Sequence, residues 1–201
     1  MSKNIILCGV GGQGTVLASR LISAAAMAKG LPVLSAETIG MAQRGGSVFS
    51  HLRIGDVHED GSKDIFSPMI ALGEADLILA FEPAEAVRML LYLKDSGRIV
   101  VSNRPIQPVT ATLSGSSYDP QIMLDYLKAH VPYLTIVDIE SATREVGSSK
   151  VVNLILLGAA LAEGALGFTR DEMRQAIIDK IPAKFHELNF KALDYYQNIG
   201  G

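Results

Sequence analysis

The sequence predicts a single three-layer α/β/α domain with a mixed, mostly parallel sheet and C-terminal helices. Apolar runs of strand length alternate with helix-like segments through the first 140 residues, which is typical of helices packed on both faces of one sheet. The consecutive strands predicted at 31–36 and 47–54 have no helix between them, which favours a mixed sheet over a purely parallel one. We expect one domain over 1–201, with an α/β core over 1–140 and a helical part over 150–201.

Composition limits the class of protein. The chain has 201 residues, of which 48% are hydrophobic, and a formal net charge of −3. It is long enough for a sizeable core, and its charge argues against broad nucleic-acid binding, which needs a basic surface. No run approaches 18 uninterrupted apolar residues, and the start of the sequence lacks the pattern of a secretory leader. We expect a cytoplasmic protein with neither a membrane nor a nucleic-acid partner.

The opening segment predicts a buried strand, a glycine turn and a helix. Residues 5–8 form an apolar run too short for a helix, and glycine ends it. Gly9, Gly11 and Gly14 match G-x-G-x-x-G, in which glycines permit a tight turn, close approach of the backbone to a ligand and close helix–strand packing. The helix start then offers N–H groups to an anion. On this motif alone, ligand binding and a ligand-free connection are both open.

Prolines, glycines and capping residues delimit the next elements. Proline at position 83 breaks a buried strand predicted over 75–81 and suits the first turn of a helix. We expect that helix to close at the serine–glycine pair 96–97. Asp119 is a good N-cap for a helix beginning at Pro120.

The C-terminal part is predicted to be mainly helical. Threonine at 169 and glutamate at 172 form a capping box, which marks a helix start. The apolar run 150–166 is better interpreted as a buried core helix than as a membrane span. Residues 140–146 match no element clearly. The elements predicted after position 97 are strands over 98–102 and 134–138, a helix from 120, and helices over 150–166, 169–181 and 184–198.

A second glycine-rich stretch precedes the strand at 47–54. Gln43 and Arg44 stand there before two glycines, a composition that resembles a binding loop more than a linker. A plain structural connection is the alternative. Glu37 follows the strand before this stretch, where an ordinary dinucleotide site places an acidic residue for a ribose hydroxyl.

Two polar residues follow neighbouring predicted strands. Glu82 comes after the strand at 75–81 and Asn103 after the strand at 98–102. Ligand crevices form at this edge of open α/β sheets. Each residue could equally serve as a helix cap or turn residue, so both interpretations stay open.

Cysteine and histidine usage argues against a metal on this chain. The one cysteine, Cys8, cannot form an internal disulfide or supply the four thiolates that an iron–sulfur cluster usually takes. It is expected to be a small core residue. The four histidines have no metal-ligand spacing. They are His51, His58, His130 and His186.

Two motifs at a fixed spacing carry a resemblance to a known family. The first is Gly9-Val-Gly-Gly-Gln-Gly14, and the second is Glu37-Thr-Ile-Gly40-Met-Ala-Gln-Arg-Gly-Gly-Ser-Val48. The chain resembles the gamma domain of 2-oxoacid:ferredoxin oxidoreductases, and within that family the small subunits of the indolepyruvate type. The supporting segments are 50–55, 67–68, 73–76, 82–86 and 103–108.

The resemblance implies an accessory subunit of an enzyme that oxidatively decarboxylates an aryl 2-oxo acid to an acyl-coenzyme A and reduces ferredoxin. Thiamine diphosphate and iron–sulfur clusters are then expected on a larger partner subunit, because this chain has neither the cysteines nor a thiamine diphosphate motif. The chain is expected to bind no cofactor alone and to help form the coenzyme A or substrate side. We expect no activity from it alone, and self-association when it is isolated.

Two alternatives remain beside this interpretation. One is a stand-alone oxidoreductase that binds NAD or FAD through the glycine turn and Glu37, and the other is a pure assembly module. No residue is proposed as catalytic and none as a metal ligand. The residues expected at a cofactor or coenzyme A site are Gly9, Gly11, Gly12, Gln13, Gly14, Glu37, Gln43, Arg44, Gly45, Gly46, Glu82 and Asn103.

Overall fold

The computed structural model describes residues 2–39, 46–59, 61–62, 64–106 and 118–197, apart from the side chains of residues 38 and 39. Its centre is a six-stranded sheet. The strands are β1 (Lys3–Val10), β2 (Val33–Ile39), β3 (Ser47–Ile54), β4 (Ala75–Ala80), β5 (Leu93–Ser102) and β6 (Tyr133–Val137).

The sheet has the order β2-β3-β1-β4-β5-β6. Strand β3 runs antiparallel to both of its neighbours, and the pairs β1–β4, β4–β5 and β5–β6 are parallel. The chain passes from β2 to β3 without a helix among the described residues, and the reversal follows from that short connection. The prediction of a mixed, mostly parallel sheet is confirmed.

Helices cover both faces of the sheet. They are α1 (Thr15–Ala28), α2 (Pro83–Met89), α3 (Pro120–His130), α4 (Ile139–Val146), α5 (Val152–Ala162), α6 (Arg170–Lys180) and α7 (His186–Asp194). Because side chains alternate along β1, Ile5 and Leu7 join one hydrophobic core while Ile6 and Cys8 join the other. The first core includes α1, α4, α5, α6 and α7, and the second includes α2 and α3. The three-layer prediction is therefore confirmed.

The predicted helix from Pro83 to the pair 96–97 is wrong in its second half. Helix α2 ends at Met89, a 3-10 turn covers Leu90–Tyr92, and β5 already begins at Leu93. Glycine at position 97 therefore lies inside a strand, next to an irregularity in the β4–β5 pairing. A Cβ there would lie 2.8 Å from the carbonyl oxygen of Ala75, so glycine allows the two backbones to approach.

The C-terminal helices also differ in length from the prediction. Helix α5 spans 11 residues and is shorter than the apolar run that predicts it, and Gly164 just after its end has a φ of +64°. Residues 140–146, which the sequence left unassigned, belong to α4. Its N-cap Asp138 accepts a hydrogen bond from the backbone N–H of Ser141, and Gly147 ends it in the left-handed conformation.

Among the described residues, no single helix is long and apolar enough to cross a membrane. The pair Ile139–Val146 and Ser149–Ala162 passes that test only when taken together, by length and composition, and is bent by 119°.

Candidate functional site

The candidate site lies where the parallel strands end. Strands β1 and β4 are neighbours, but α1 leaves β1 towards one face of the sheet and α2 leaves β4 towards the other. Open α/β sheets bind ligands at such a point of divergence, outside the carboxyl ends of the strands. The glycine turn between β1 and α1 stands at this point.

The turn needs glycine for two different reasons. Gly12 and Gly14 have φ values of +97° and +83°, which residues with a side chain rarely adopt. Gly14 is also pressed against helix α5, because a Cβ there would lie 3.0 Å from Nδ2 of Asn153. At Gly9 the reason is space alone, since a Cβ would lie 2.8 Å from the Cβ of Phe81. Conformation and close packing thus account for glycine at positions 9, 12 and 14.

Gln13 fills the space between the ends of β1 and β4. Its Oε1 accepts a hydrogen bond from the backbone N–H of Val10 at 2.6 Å, and its Nε2 donates to the carbonyl of Phe81 at 2.7 Å. The point of divergence, which a dinucleotide would occupy in a simple nucleotide-binding sheet, therefore holds a side chain of the protein itself.

A backbone hydrogen bond joins the two glycine-rich stretches. The N–H of Gly11 donates to the carbonyl of Gly46 at 2.9 Å. The predicted site residues Gln43, Arg44 and Gly45 lie outside the described residues.

The structure does not bring Glu37 to the glycine turn. Glu37 lies in β2 opposite Ser50, and β3 separates β2 from β1. Two strand spacings amount to about 10 Å. A ribose-binding carboxylate would need β2 directly beside β1, so the sheet order separates the two halves of the expected dinucleotide pattern.

Glu82 is a buried N-cap. Its carboxylate accepts hydrogen bonds from the hydroxyl of Tyr118 at 2.5 Å and from the backbone N–H of Glu85 at 3.0 Å. The backbone of Ile106 is a further hydrogen-bond partner. Burial raises the pKa of Glu82 although these hydrogen bonds oppose the shift. Burial and the bond to Glu82 raise the pKa of Tyr118.

Asn103 joins the ends of β5 and β6. Its Oδ1 accepts from the N–H of Ile139 at 3.1 Å, and its Nδ2 donates to Oδ1 of Asp138 at 3.3 Å. Hydrogen bonds, chiefly from the Ser141 hydroxyl, lower the pKa of Asp138. The sequence left open whether Glu82 and Asn103 face a ligand crevice or act as cap and turn residues. In the structure Glu82 caps α2, and Asn103 bonds the turn after β5 to the start of α4.

A crevice with a volume of ≈ 370 Å³ lies on the α5 side of the glycine turn. We call it the cationic crevice, because Arg104 and Lys150 line it and both side chains are free of ion pairs with any described residue. A 3-10 turn, Ser149–Val151, leads into α5, and the N-terminal end of this turn lines the crevice. The lining residues are Gly11, Gly12, Gln13, Ser102, Arg104, Ile106, Ser149, Lys150 and Val152.

A second groove lies on the other side of the turn. It has a volume of ≈ 480 Å³ and is mostly apolar, with Arg20 as its one charged residue among those described. Its lining residues are Gly11, Gly12, Gly14, Thr15, Val16, Leu17, Arg20 and Val48.

Sequence reasoning missed Arg104, Lys150 and Asn153. Arg104 directly follows a strand end, which was a usable signal beside Asn103. Lys150 and Asn153 belong to the start of α5, and no local pattern links them to a turn at the other end of the chain. Asn153 is 4% exposed and lies against Gly14.

Solved structures of other proteins share this fold. A gamma subunit of a keto/oxoacid ferredoxin oxidoreductase from Geobacter sulfurreducens superimposes with a TM-score of 0.66 at 23% identity, covering 99% of each chain. A pyruvate oxidoreductase subunit, PORC, from Thermotoga maritima gives 0.69 at 18% identity over 98% of this chain and 96% of its own. A 2-oxoglutarate:ferredoxin oxidoreductase from Magnetococcus marinus, solved with 2-oxoglutarate, coenzyme A and succinyl-CoA, gives 0.70 at 17% identity. That match covers 98% of this chain and 31% of the longer one.

Sequence comparison extends the assignment from fold to family. Residues 4–195 match the pyruvate ferredoxin/flavodoxin oxidoreductase family. The indolepyruvate oxidoreductase subunit IorB of Archaeoglobus fulgidus is 36% identical over 100% of this chain and 98% of its own length. The IorB of Methanothermobacter thermautotrophicus is 35% identical over 96% and 94%. The chain therefore belongs to the pyruvate ferredoxin/flavodoxin oxidoreductase family, as an accessory subunit of a 2-oxoacid:ferredoxin oxidoreductase.

Proposed function

We propose that this chain is the small subunit of an indolepyruvate-type enzyme, which oxidises an aryl 2-oxo acid to its acyl-coenzyme A and passes the electrons to ferredoxin. The substrate class rests on likeness over nearly the whole length to the archaeal subunits named for indolepyruvate. Gamma subunits named for pyruvate and ketoisovalerate are less similar, for example 26% identical in Pyrococcus furiosus.

The redox groups belong to a larger partner subunit in this proposal. An iron–sulfur cluster usually takes four thiolates, whereas this sequence has one cysteine. Cys8 is buried, and burial raises the pKa of its thiol, which disfavours the thiolate that a metal needs. Among the described residues, no group of three histidine, cysteine or acidic side chains could hold a metal ion. Thiamine diphosphate is likewise assigned to the partner and supplies the carbanion chemistry there.

The cationic crevice is the observation that supports a role for this chain in the reaction. Coenzyme A bears a diphosphate and a 3′-phosphate, and phosphates bind best to unpaired cations and to N–H groups at helix starts. Arg104 and Lys150 supply the cations, and the backbone of Gly12 lies beside them, whereas the N–H of Gly11 already donates to Gly46. In this proposal these residues bind the phosphates, and the thiol end extends towards the partner subunit. The coenzyme A in the Magnetococcus structure is consistent with such a role.

Kinetics of the complex with its partner subunit test the proposal. Lys150→Ala and Arg104→Ala should each raise the KM for coenzyme A about tenfold, the usual worth of a charged hydrogen bond, with little change in the KM for the 2-oxo acid. Lys180 is an exposed residue in the last turn of α6 and lines none of the crevices above, so Lys180→Ala is the matched control. An unchanged KM for coenzyme A in both crevice variants would favour the pure assembly module.

A further inference from the structure

The end of β4 lies between two walls of the cationic crevice. In the sheet, β4 is between β1 and β5, and segments that follow those two outer strands contribute to the crevice. The first wall is the glycine turn after β1, the second is the segment 104–106 after β5, and Ser149, Lys150 and Val152 form a third. The residues at the end of β4, Phe81 and Glu82, are bonded to the first and second walls.

The bond to the first wall runs through Gln13. Its side chain ties the turn to the carbonyl of Phe81 at 2.7 Å and to the end of β1 at Val10 at 2.6 Å. Both functional atoms of the Gln13 amide are thereby engaged within the protein. The turn between β1 and α1 therefore has a set position relative to β4.

The bond to the second wall runs through Glu82. The buried carboxylate is hydrogen bonded to the backbone of Ile106, and it also accepts from Tyr118 at 2.5 Å. Within the same wall, the N–H of Arg104 donates to the hydroxyl of Ser102 at 3.0 Å. The backbone that carries the Arg104 side chain is thus held at two points.

We infer that Gln13 and Glu82 are positioning residues that set the width of the cationic crevice. Gln13 lies in the crevice lining, but its polar atoms, like those of Glu82, are bonded within the protein and do not bind the phosphates. This inference rests on the proposed function in taking coenzyme A as the occupant. The polar atoms of both residues are bonded within the protein, whereas Arg104 and Lys150, which have no ion pair with any described residue, line the crevice. Because consecutive residues at the end of one strand anchor the first and second walls, a change at either anchor alters the spacing between the glycine turn and the cations.

The test uses Gln13→Met and Gln13→Glu in the complex with the partner subunit. Methionine keeps the size of the side chain and loses both hydrogen bonds, so the KM for coenzyme A should rise about tenfold. Glutamate keeps the acceptor for Val10, but its carboxylate repels the carbonyl oxygen of Phe81 and adds a negative charge to the crevice lining, so a rise at least as large is expected. The KM for the 2-oxo acid should stay unchanged in both variants, because a general loss of structure would affect both substrates.

Gln121 provides the matched control. It is exposed on α3 and bonded to Asp125, so Gln121→Met makes the same chemical change away from the crevice and should leave both KM values unchanged. Glu82→Gln should raise the KM for coenzyme A independently, since an amide cannot accept all the hydrogen bonds that the carboxylate accepts. If Gln13→Met does not assemble, Glu82→Gln decides the question.

The outcomes separate this inference from the proposed function. If Lys150→Ala and Arg104→Ala raise the KM for coenzyme A while the Gln13 and Glu82 variants do not, the positioning role is wrong and the coenzyme A site stands. If the Lys150 and Arg104 variants have no effect, the coenzyme A site itself is wrong. A Gln13→Met variant that lowers kcat alone would also overturn the inference.

Discussion

The hydroxyl of Tyr118 donates a hydrogen bond to the buried carboxylate of Glu82 at 2.5 Å, joining the start of α2 to the residue pair that precedes α3. Glu82 is 2% exposed, and burial raises its pKa. A carboxyl group whose pKa is raised by folding stabilises the protein below its unfolded-state pKa. That contribution is lost as the pH rises through the folded-state pKa.

Replacing this carboxyl group should therefore lower the free energy of unfolding by an amount that depends on pH. Glu82→Gln cannot ionise, so its loss of stability relative to the native protein should be smaller at about pH 8 than at about pH 4. Denaturant unfolding at the two pH values measures the difference. Glu187→Gln, at an exposed position in α7, is the control and should cost the same at both. An equal cost for Glu82→Gln at both pH values would contradict the prediction.

Histidine 51 should make stability depend on pH in the opposite direction. Its ring is fully buried, 5.3 Å from the ring of Tyr92, and its Nδ1 accepts from the N–H of Ile70 at 3.2 Å. Burial lowers the pKa of His51, so its contribution to stability is present above the unfolded-state pKa and is lost as the pH falls from there to the folded-state pKa.

Unfolding of a His51→Asn variant tests this direction. Asparagine retains an acceptor for the N–H of Ile70, and it does not titrate, so the variant should lose less stability than the native protein between about pH 7 and pH 5. His58 is exposed, which makes His58→Asn the matched control. A His51→Asn variant with the same pH dependence as the native protein would show that His51 does not cause it.

Substitution of Gly14 should lower the free energy of unfolding by more than its left-handed backbone conformation alone explains. Gly30 has a similar φ of +74°, and a Cβ there would meet nothing within 4 Å, whereas a Cβ at Gly14 would meet Asn153. We expect Gly30→Ala to cost about 1 kcal/mol of unfolding free energy and Gly14→Ala about twice as much. Chemical denaturation of both variants measures this. Equal costs would mean that Asn153 moves aside freely.

The isolated chain should be colourless and inactive. With one cysteine it should show no visible iron–sulfur absorption, and without an electron acceptor it should not oxidise a 2-oxo acid. Absorption spectra and dye-reduction assays before and after addition of the larger subunit check both points. Activity of the metal-free chain alone would contradict the proposed function.

Light scattering should detect self-association of the isolated chain. Several large apolar side chains are more than half exposed, including Phe66 at 88% and Leu91 at 73%. Exposed apolar surface of this kind is typical of proteins that bind partners. A strictly monomeric chain at high concentration would contradict this expectation.

Local patterns were sufficient for the strands, the glycine turn and the reversal of β3. Alternation of apolar residues, the conformational freedom of glycine and the absence of a helix before β3 act over short stretches of chain. They failed where a longer-range contact decides the structure. The segment 93–97 resembles the end of a helix, yet pairing with β4 makes it a strand, and glycine at 97 serves the close approach to Ala75.

The sequence by itself determined that a glycine turn follows β1 and that this chain cannot hold an iron–sulfur cluster of the usual kind, because both depend on residue type and local spacing. Only the tertiary structure decided which side chains meet at that turn. Gln13 and Phe81 are 68 positions apart, and Arg104 and Lys150 approach the turn from different segments. Strand order and the face chosen by each helix bring them together, and these follow from burying the whole apolar surface at once, which no local stretch of sequence encodes.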